Sequence, residues 1–196
     1  MANPKYYDKR QDFWKQEFEK ALDYEAYLSA GEESHRNKWR NMEADIELTE
    51  SRKKLIGKFT RKINVLVYTG IWCGDCVRQG PIFKKIGAAN PNINIRYVER
   101  IDGTPLGDEL RMNGASKVPV VVFLSEDFFE LGRFGDRLLT IYRRMERTQL
   151  GSACSTGLVA PPDDERMAEI QEWVDIFERM HIMLRLSPML RERYDD

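Results

Sequence analysis

The sequence predicts an α/β fold in which helices flank a central mixed sheet and further helices are added at the N- and C-termini. Three observations carry that prediction. Two strand-like runs, Ile63-Asn64-Val65-Leu66-Val67-Tyr68 and Ile93-Asn94-Ile95-Arg96-Tyr97-Val98, bracket a helical segment, which is the βαβ pattern. A third run, Val118-Pro119-Val120-Val121-Val122-Phe123-Leu124, is the strongest strand signal, and Phe128 to Phe134 is expected to return antiparallel to it as a hairpin. Apolar residues at helical spacing fill both ends of the chain. Its 196 residues suffice for one ordinary domain with additions. They divide into a helical extension over 1–60 packed on the core, an α/β core over 61–150, and a loop with a C-terminal helix over 151–196 in the same domain.

The elements follow in order. Phe13, Trp14, Phe18, Ala21 and Leu22 recur at helical spacing, as do Trp39, Met42 and Ile46, and then Leu55, Ile56 and Phe59. Gly31 followed by Glu-Glu-Ser marks a break between helices. Packing of these apolar stripes against the core is the ordinary expectation, an exposed partner-binding stripe carrying Trp14 and Trp39 the less ordinary one. After the first strand, Gly70 to Cys73 form a turn, and Cys76, Val77, Ile82, Phe83 and Ile86 follow at helical spacing until Asn90-Pro91 stops the helix. Thr104 and Pro105 read as the cap and first residue of a short helix reaching about Met112, with Gly114 past its end. Leu138, Leu139, Tyr142 and Met145 predict a helix from Asp136 to about Leu150. Residues 151–157 read as a loop, and Pro161-Pro162-Asp163-Asp164-Glu165 opens a last helix whose apolar face runs from Met167 to Leu184.

Composition narrows the function. With 42% hydrophobic and 32% charged residues, the chain reads as a soluble globular protein. Thirty-one Lys and Arg against thirty-two Asp and Glu give a net charge of −1, so no overall field draws nucleic acid or an anionic membrane. The first twenty residues hold no apolar signal core, and no stretch approaches the ~18 apolar residues of a membrane span, so a cytoplasmic protein is expected. Three cysteines are too few for a disulfide framework. Two of them, Cys73 and Cys76, lie in a Cys-x-x-Cys spacing at a predicted strand-to-helix junction.

That junction favours redox chemistry. Unsatisfied backbone N–H groups at a helix N-terminus stabilise an anion, so Cys73 is expected as the attacking thiolate. Three residues along a helix place Cys76 on the same face, where it is expected as the less exposed thiol that resolves a mixed disulfide. Zinc would want four ligands, and the two histidines, His35 and His181, fall in different predicted helices far from the pair. A pair of merely buried cysteines is the bland alternative.

In this context the chain resembles the thioredoxin superfamily over roughly Ile63 to Tyr142. The resemblance rests on Trp72-Cys73-Gly74-Asp75-Cys76, on Pro81 five positions after the second cysteine, and on Val118-Pro119 at the start of the third strand run. It implies a thioredoxin-like central mixed sheet, a kink at Pro81 in the active-site helix, and a cis Pro119 facing the dithiol. It further implies that the backbone at Val118 pairs with a substrate peptide, which brings Lys117 to Pro119 into the site. Trp72, Gly74 and Asp75 join Val118 and Pro119 as the expected substrate-docking residues. Together with Glu99-Arg100-Ile101-Asp102 and Arg133-Phe134-Gly135-Asp136-Arg137, Trp-Cys-Gly-Asp looks most like a bacterial thioredoxin-like subfamily with a helical N-terminal extension. Many members of that subfamily replace the second cysteine by Ala or Ser.

The chain also departs from the family. Thioredoxins proper carry a buried Asp six residues before the first cysteine, here Val67, and its Lys partner would fall near Val98. Losing both members of a buried ion pair is coherent, since leaving one would strand a charge. The proton acceptor then falls to Asp75 or to water. The Asp75 charge is expected to raise the Cys73 pKa relative to a neutral residue there and tilt the protein toward a reductant; Asp75 as a plain helix-start residue is the alternative. Arg100 and Arg137 either line the site or, more ordinarily, are solvated surface; Tyr68 and Tyr97 are expected as packed strand residues, and Cys154 as a free loop thiol. The function that follows is thiol-disulfide exchange on a protein or small-molecule disulfide, with a reductase as electron donor and no metal or organic cofactor. A redox-inactive module that binds a partner protein or thiol compound is the second expectation.

Overall fold

The computed structural model describes residues 5–150 and 164–195. Its centre is β1 (Ile63–Thr69), whose seven residues are all buried, as an apolar β-branched run covered on both faces should be. β1 pairs in parallel with β2 (Ile93–Glu99) and antiparallel with β3 (Val120–Leu124), which pairs antiparallel with β4 (Glu130–Gly135). Among the described residues the sheet is mixed and four-stranded, in the order β2-β1-β3-β4. β3 starts at Val120 rather than Val118, because Pro119 has no N–H to donate to a ladder. The return strand likewise starts at Glu130: Phe128 turns the hairpin with φ 62°, and the Ser125 hydroxyl accepts from the N–H groups of Asp127 and Phe129.

The N-terminal extension forms α1 (Gln11–Lys20), α2 (Tyr24–Ser29), α3 (Glu33–Ala44) and α4 (Glu50–Ile56). It shares the hydrophobic core of the sheet. Trp14 and Trp39 are both fully buried, so neither belongs to an exposed stripe. Leu22 also exchanges both backbone hydrogen bonds with Tyr97, at 3.0 and 2.7 Å, which covers the edge of β2.

Between the strands lies α5 (Gly74–Ala88), with Pro81 inside it. Three ties fix this helix. Trp39 packs on its Gly80, where a Cβ would meet the indole at 2.0 Å, and the Trp39 Nε1–H donates to the Ile71 carbonyl at 2.9 Å. Arg78 makes a bidentate pair with the fully buried Glu169, and Trp173 Nε1–H donates to Gln79. α6 (Pro105–Glu109) has Thr104 as its cap and ends before Met112, shorter than its pattern suggested. α7 (Leu139–Leu150) and α8 (Glu165–Leu186) follow, the latter supplying Glu169 and Trp173. The sequence pattern reads as one last helix, but the chain breaks at Ser187 and starts α9 (Pro188–Tyr194). There the Ser187 hydroxyl accepts from the Leu190 N–H, and Pro188 needs no partner for a first helical residue. No helix among the described residues is long and apolar enough to cross a membrane.

The contact between Trp39 and α5 gives a test. Gly80→Ala forces a methyl into the indole, and overpacking of this kind costs about 1–3 kcal/mol. At Gly74 a Cβ meets nothing within 4 Å, so Gly74→Ala should stay within about 0.5 kcal/mol of wild type. Urea unfolding of the two variants measures both.

Candidate active site

The turn between β1 and α5 is set by Gly70. A Cβ there would come within 2.9 Å of the Trp72 ring, so only glycine lets the indole fold back over the backbone. The Cys73 N–H closes this turn on the Gly70 carbonyl at 2.9 Å. Cys73 is then the N-cap of α5, with extended backbone at φ −81° and ψ 127°. An N-cap side chain ordinarily accepts from the second or third helical residue. The Cys73 sulfur makes no cap hydrogen bond of normal length, yet the Asp75 and Cys76 N–H groups face it closely enough to favour its anion.

The two sulfurs are driven apart in acidity. The hydrogen bond from the Cys76 thiol is the largest influence on Cys73 and brings its pKa down to about 6; partial burial opposes this, the two backbone N–H groups assist, and the Asp75 charge opposes. Cys76 is fully buried, and burial pushes its thiol far up, with its bond to Cys73 adding to the rise. The Gly70 N–H donates to its Sγ at 3.4 Å. Both thiols are free. One half-exposed sulfur is thus disposed to be a thiolate and one buried sulfur to keep its proton.

Opposite this pair, the Val118-Pro119 peptide is cis, and the Val118 carbonyl stands 3.8 Å from Cys73 Sγ. Cys73, Cys76, Val118 and Pro119, separated by more than forty positions in sequence, meet at one corner of the molecule. Trp72 projects beside them with 49% of its surface exposed, and the Arg100 guanidinium lies 5.5 Å from its ring centroid. Gly74 leaves open space next to Cys73.

Asp75 stands in a chain of charged groups. Its carboxylate pairs with Arg137 at 2.7 Å, and Arg137 also reaches Asp136 at 3.1 Å. Asp136 is buried, which opposes its ionisation, but a hydrogen bond from Tyr142 and the Lys117 ammonium at 3.3 Å hold its carboxyl below the usual carboxylate range. The Asp75 charge does oppose the thiolate, as its position suggests. The hydrogen bond from Cys76 outweighs that opposition, and the Cys73 pKa falls. Of the two readings of Arg100 and Arg137, the contacts with Trp72 and Asp75 favour the one that lines the site. Arg137 reaches Asp75 only because β4 returns the chain to this corner, a contact that spacing cannot reveal.

Val67 is fully buried and Val98 half-buried, so the positions of a buried ion pair hold apolar side chains. Polar groups enter from elsewhere. The Tyr27 hydroxyl, from the N-terminal extension, donates to Glu99 Oε2 at 2.5 Å, and the Ile71 N–H donates to the same oxygen at 3.1 Å. Sequence reasoning missed Tyr27 altogether and read Glu99 only as part of a motif.

The remaining candidates lie apart. Tyr68 and Tyr97 are buried in the sheet, and Tyr97 donates to the Gly80 carbonyl at 3.2 Å. His181 stacks on Phe59 at 4.3 Å and accepts from the Thr60 N–H at 3.0 Å. Cys154 lies outside the described residues. Among those residues, no cluster of three or more His, Cys, Asp or Glu side chains could hold a metal ion.

Known structures share this architecture. A Pseudomonas aeruginosa protein of unknown function superposes with a TM-score of 0.65 at 18% identity, over 85% of this chain and 95% of its own. An HIV epitope-scaffold superposes with a TM-score of 0.60 at 20% identity, over 84% of this chain and 97% of its own. At these identities the likeness concerns the fold. No curated protein matches the chain by sequence. A thioredoxin family model matches residues 21–147, well over half of the chain and inclusive of the dithiol, Val118-Pro119 and β4. On that match the chain belongs to the thioredoxin family.

Proposed function

We propose that this protein is a thiol-disulfide oxidoreductase that reduces protein or small-molecule disulfides through Cys73 and Cys76. The observation that carries this reading is the division of the two sulfurs into an acidic, accessible thiol and a buried, protonated one, opposite the Val118-Pro119 edge. In the reaction, the Cys73 thiolate attacks one sulfur of the substrate disulfide and expels the other as a thiolate. Cys76 then loses its proton, attacks Cys73 Sγ and releases the second substrate thiolate. The substrate gains two electrons and the protein holds a Cys73–Cys76 disulfide, which a reductase or other dithiol donor must reduce.

A Cys73 pKa of about 6 lies nearer the ~7 of a reducing thioredoxin than the ~3.5 of a strong oxidant, which supports the reducing direction. Trp72, Gly74, Asp75, Val118 and Pro119 are the proposed docking surface, where a substrate strand would lie along the Val118 backbone. Three cysteines, too few for a disulfide framework, suit a reducing, cytoplasmic setting. The Trp-Cys-Gly-Asp motif and the packed helical extension support placement in the subfamily that combines them.

Three outcomes are expected. Cys76→Ser should accumulate a mixed disulfide through Cys73 when given a disulfide substrate, seen by mass spectrometry, while the intact protein reduces insulin with dithiothreitol as donor. Thiols inert in both assays would instead favour a binding module. Alkylation of Cys73 by iodoacetamide should rise with pH to a plateau, with a midpoint at about 6, because a depressed thiol pKa leaves the thiolate populated above that value. Arg137→Ala, by freeing the Asp75 charge, should move that midpoint upward and slow alkylation severalfold at pH 6; Asp75→Asn should move it downward.

A further inference from the structure

Resolution of a mixed disulfide requires Cys76 to lose a proton inside the protein, and its surroundings offer a route. Once Cys73 is bonded to substrate it carries no charge, and the Cys76 thiol is no longer held toward it. Asp75, the acceptor its position suggested, is already committed to Arg137 on the outer side of the helix start. On the inner side stands Thr69, the last residue of β1. It is 1% exposed, and its Oγ1 completes no hydrogen bond of normal length. A buried hydroxyl left in that state is uncommon and calls for a reason. Thr69 is paired in register with Glu99 on β2. The Tyr27 hydroxyl closes the gap between them, donating to Glu99 Oε2 at 2.5 Å. Cys76 Sγ accepts from the N–H of Gly70, the residue after Thr69, at 3.4 Å, which sets the end of β1 beside it; burial raises the pKa of both Tyr27 and Cys76, and the Thr69 hydroxyl works against both rises.

We infer that Thr69, Tyr27 and Glu99 form a proton path that takes the Cys76 proton during resolution, with the Glu99 carboxylate as its end. This rests on the dithiol reading proposed above. A hydroxyl both accepts and donates, so a proton leaving Cys76 Sγ can enter at Thr69 Oγ1 while Thr69 passes its own to Tyr27 and Tyr27 passes its own to Glu99. Meanwhile Cys76 Sγ bonds to Cys73 Sγ, the Cys73–substrate bond breaks, and the substrate leaves as a thiolate. Glu99 ends protonated and the charge has moved to the departing thiolate, so protons and electrons balance. Glu99 is half-buried, so part of it meets solvent, to which its proton can return. Its Oε2 is faced by the Tyr27 hydroxyl from α2 and by the Ile71 N–H. Two members of the path, Thr69 and Glu99, come from the sheet, and the third is supplied by the N-terminal extension.

The test uses the full chain in a Cys154→Ser background with dithiobis(nitrobenzoate). Attack by Cys73 releases one coloured thiolate and resolution by Cys76 releases a second, so each step is seen in the same trace. In Glu99→Gln and Thr69→Val, resolution should slow on the order of 100-fold at pH 7, the scale of general-base assistance. Attack should stay within about twofold, and the resolution deficit should shrink at high pH and on adding imidazole as an external base. Tyr27→Phe should behave likewise with its ring retained. Resolution within about twofold of wild type in both Glu99→Gln and Thr69→Val would overturn the path, as would equal slowing of both steps with no rescue by imidazole. If the parent chain releases only one equivalent, the dithiol reading itself fails, a result distinct from either of these.

Discussion

A thiol that donates to a neighbouring thiolate at the first turn of α5 is the interaction on which the site depends. Cys73 sits where the helix dipole and two backbone N–H groups favour negative charge, and Cys76 behind it is buried and keeps its proton to give. Each condition requires α5 to begin at one point and at one depth. β1 delivers the chain to that point, Trp39 presses on Gly80, and α8 anchors the helix through Arg78–Glu169 and Trp173–Gln79. The helices outside the sheet therefore hold the start of α5 in place from two sides.

Charge around the dithiol is organised on its two sides differently. On the outer side, Asp75, Arg137, Asp136 and Lys117 alternate in sign, so the carboxylate nearest Cys73 has a cation of its own. On the inner side there is no ion pair at Val67 and Val98; neutral hydroxyls lead to one carboxylate that reaches water. An apolar pair in those two positions avoids a stranded buried charge, and polar function moves to residues contributed by a different strand end and a different helix.

Much of the fold was legible in the sequence because it depends on local period. The buried run of β1, the alternation of β2 and the apolar stripe of α5 all announce themselves within a few residues. Cys73, Cys76, Val118 and Pro119 were legible through spacing and resemblance, and the structure brings them to one corner. What escaped depends on long-range contact. Tyr27 carries no signal in the sequence, Glu99 belongs only to a motif, and Arg137 has no visible partner. Their roles appear only when the extension closes on the β2 edge and β4 returns beside α5. The break at Ser187-Pro188 was the exception, since a capping serine before a first-turn proline is itself a local signal that the pattern of apolar residues overrode.

The most direct measurement is the reduction potential of the Cys73/Cys76 pair, obtained by equilibrating the protein with thiol-disulfide buffers and scoring the two residues by mass. A single two-electron transition nearer the about −270 mV of reducing thioredoxins than the about −120 mV of strong oxidants is the expected result. A chain in which the two sulfurs never join at any potential would contradict a dithiol centre at the start of α5.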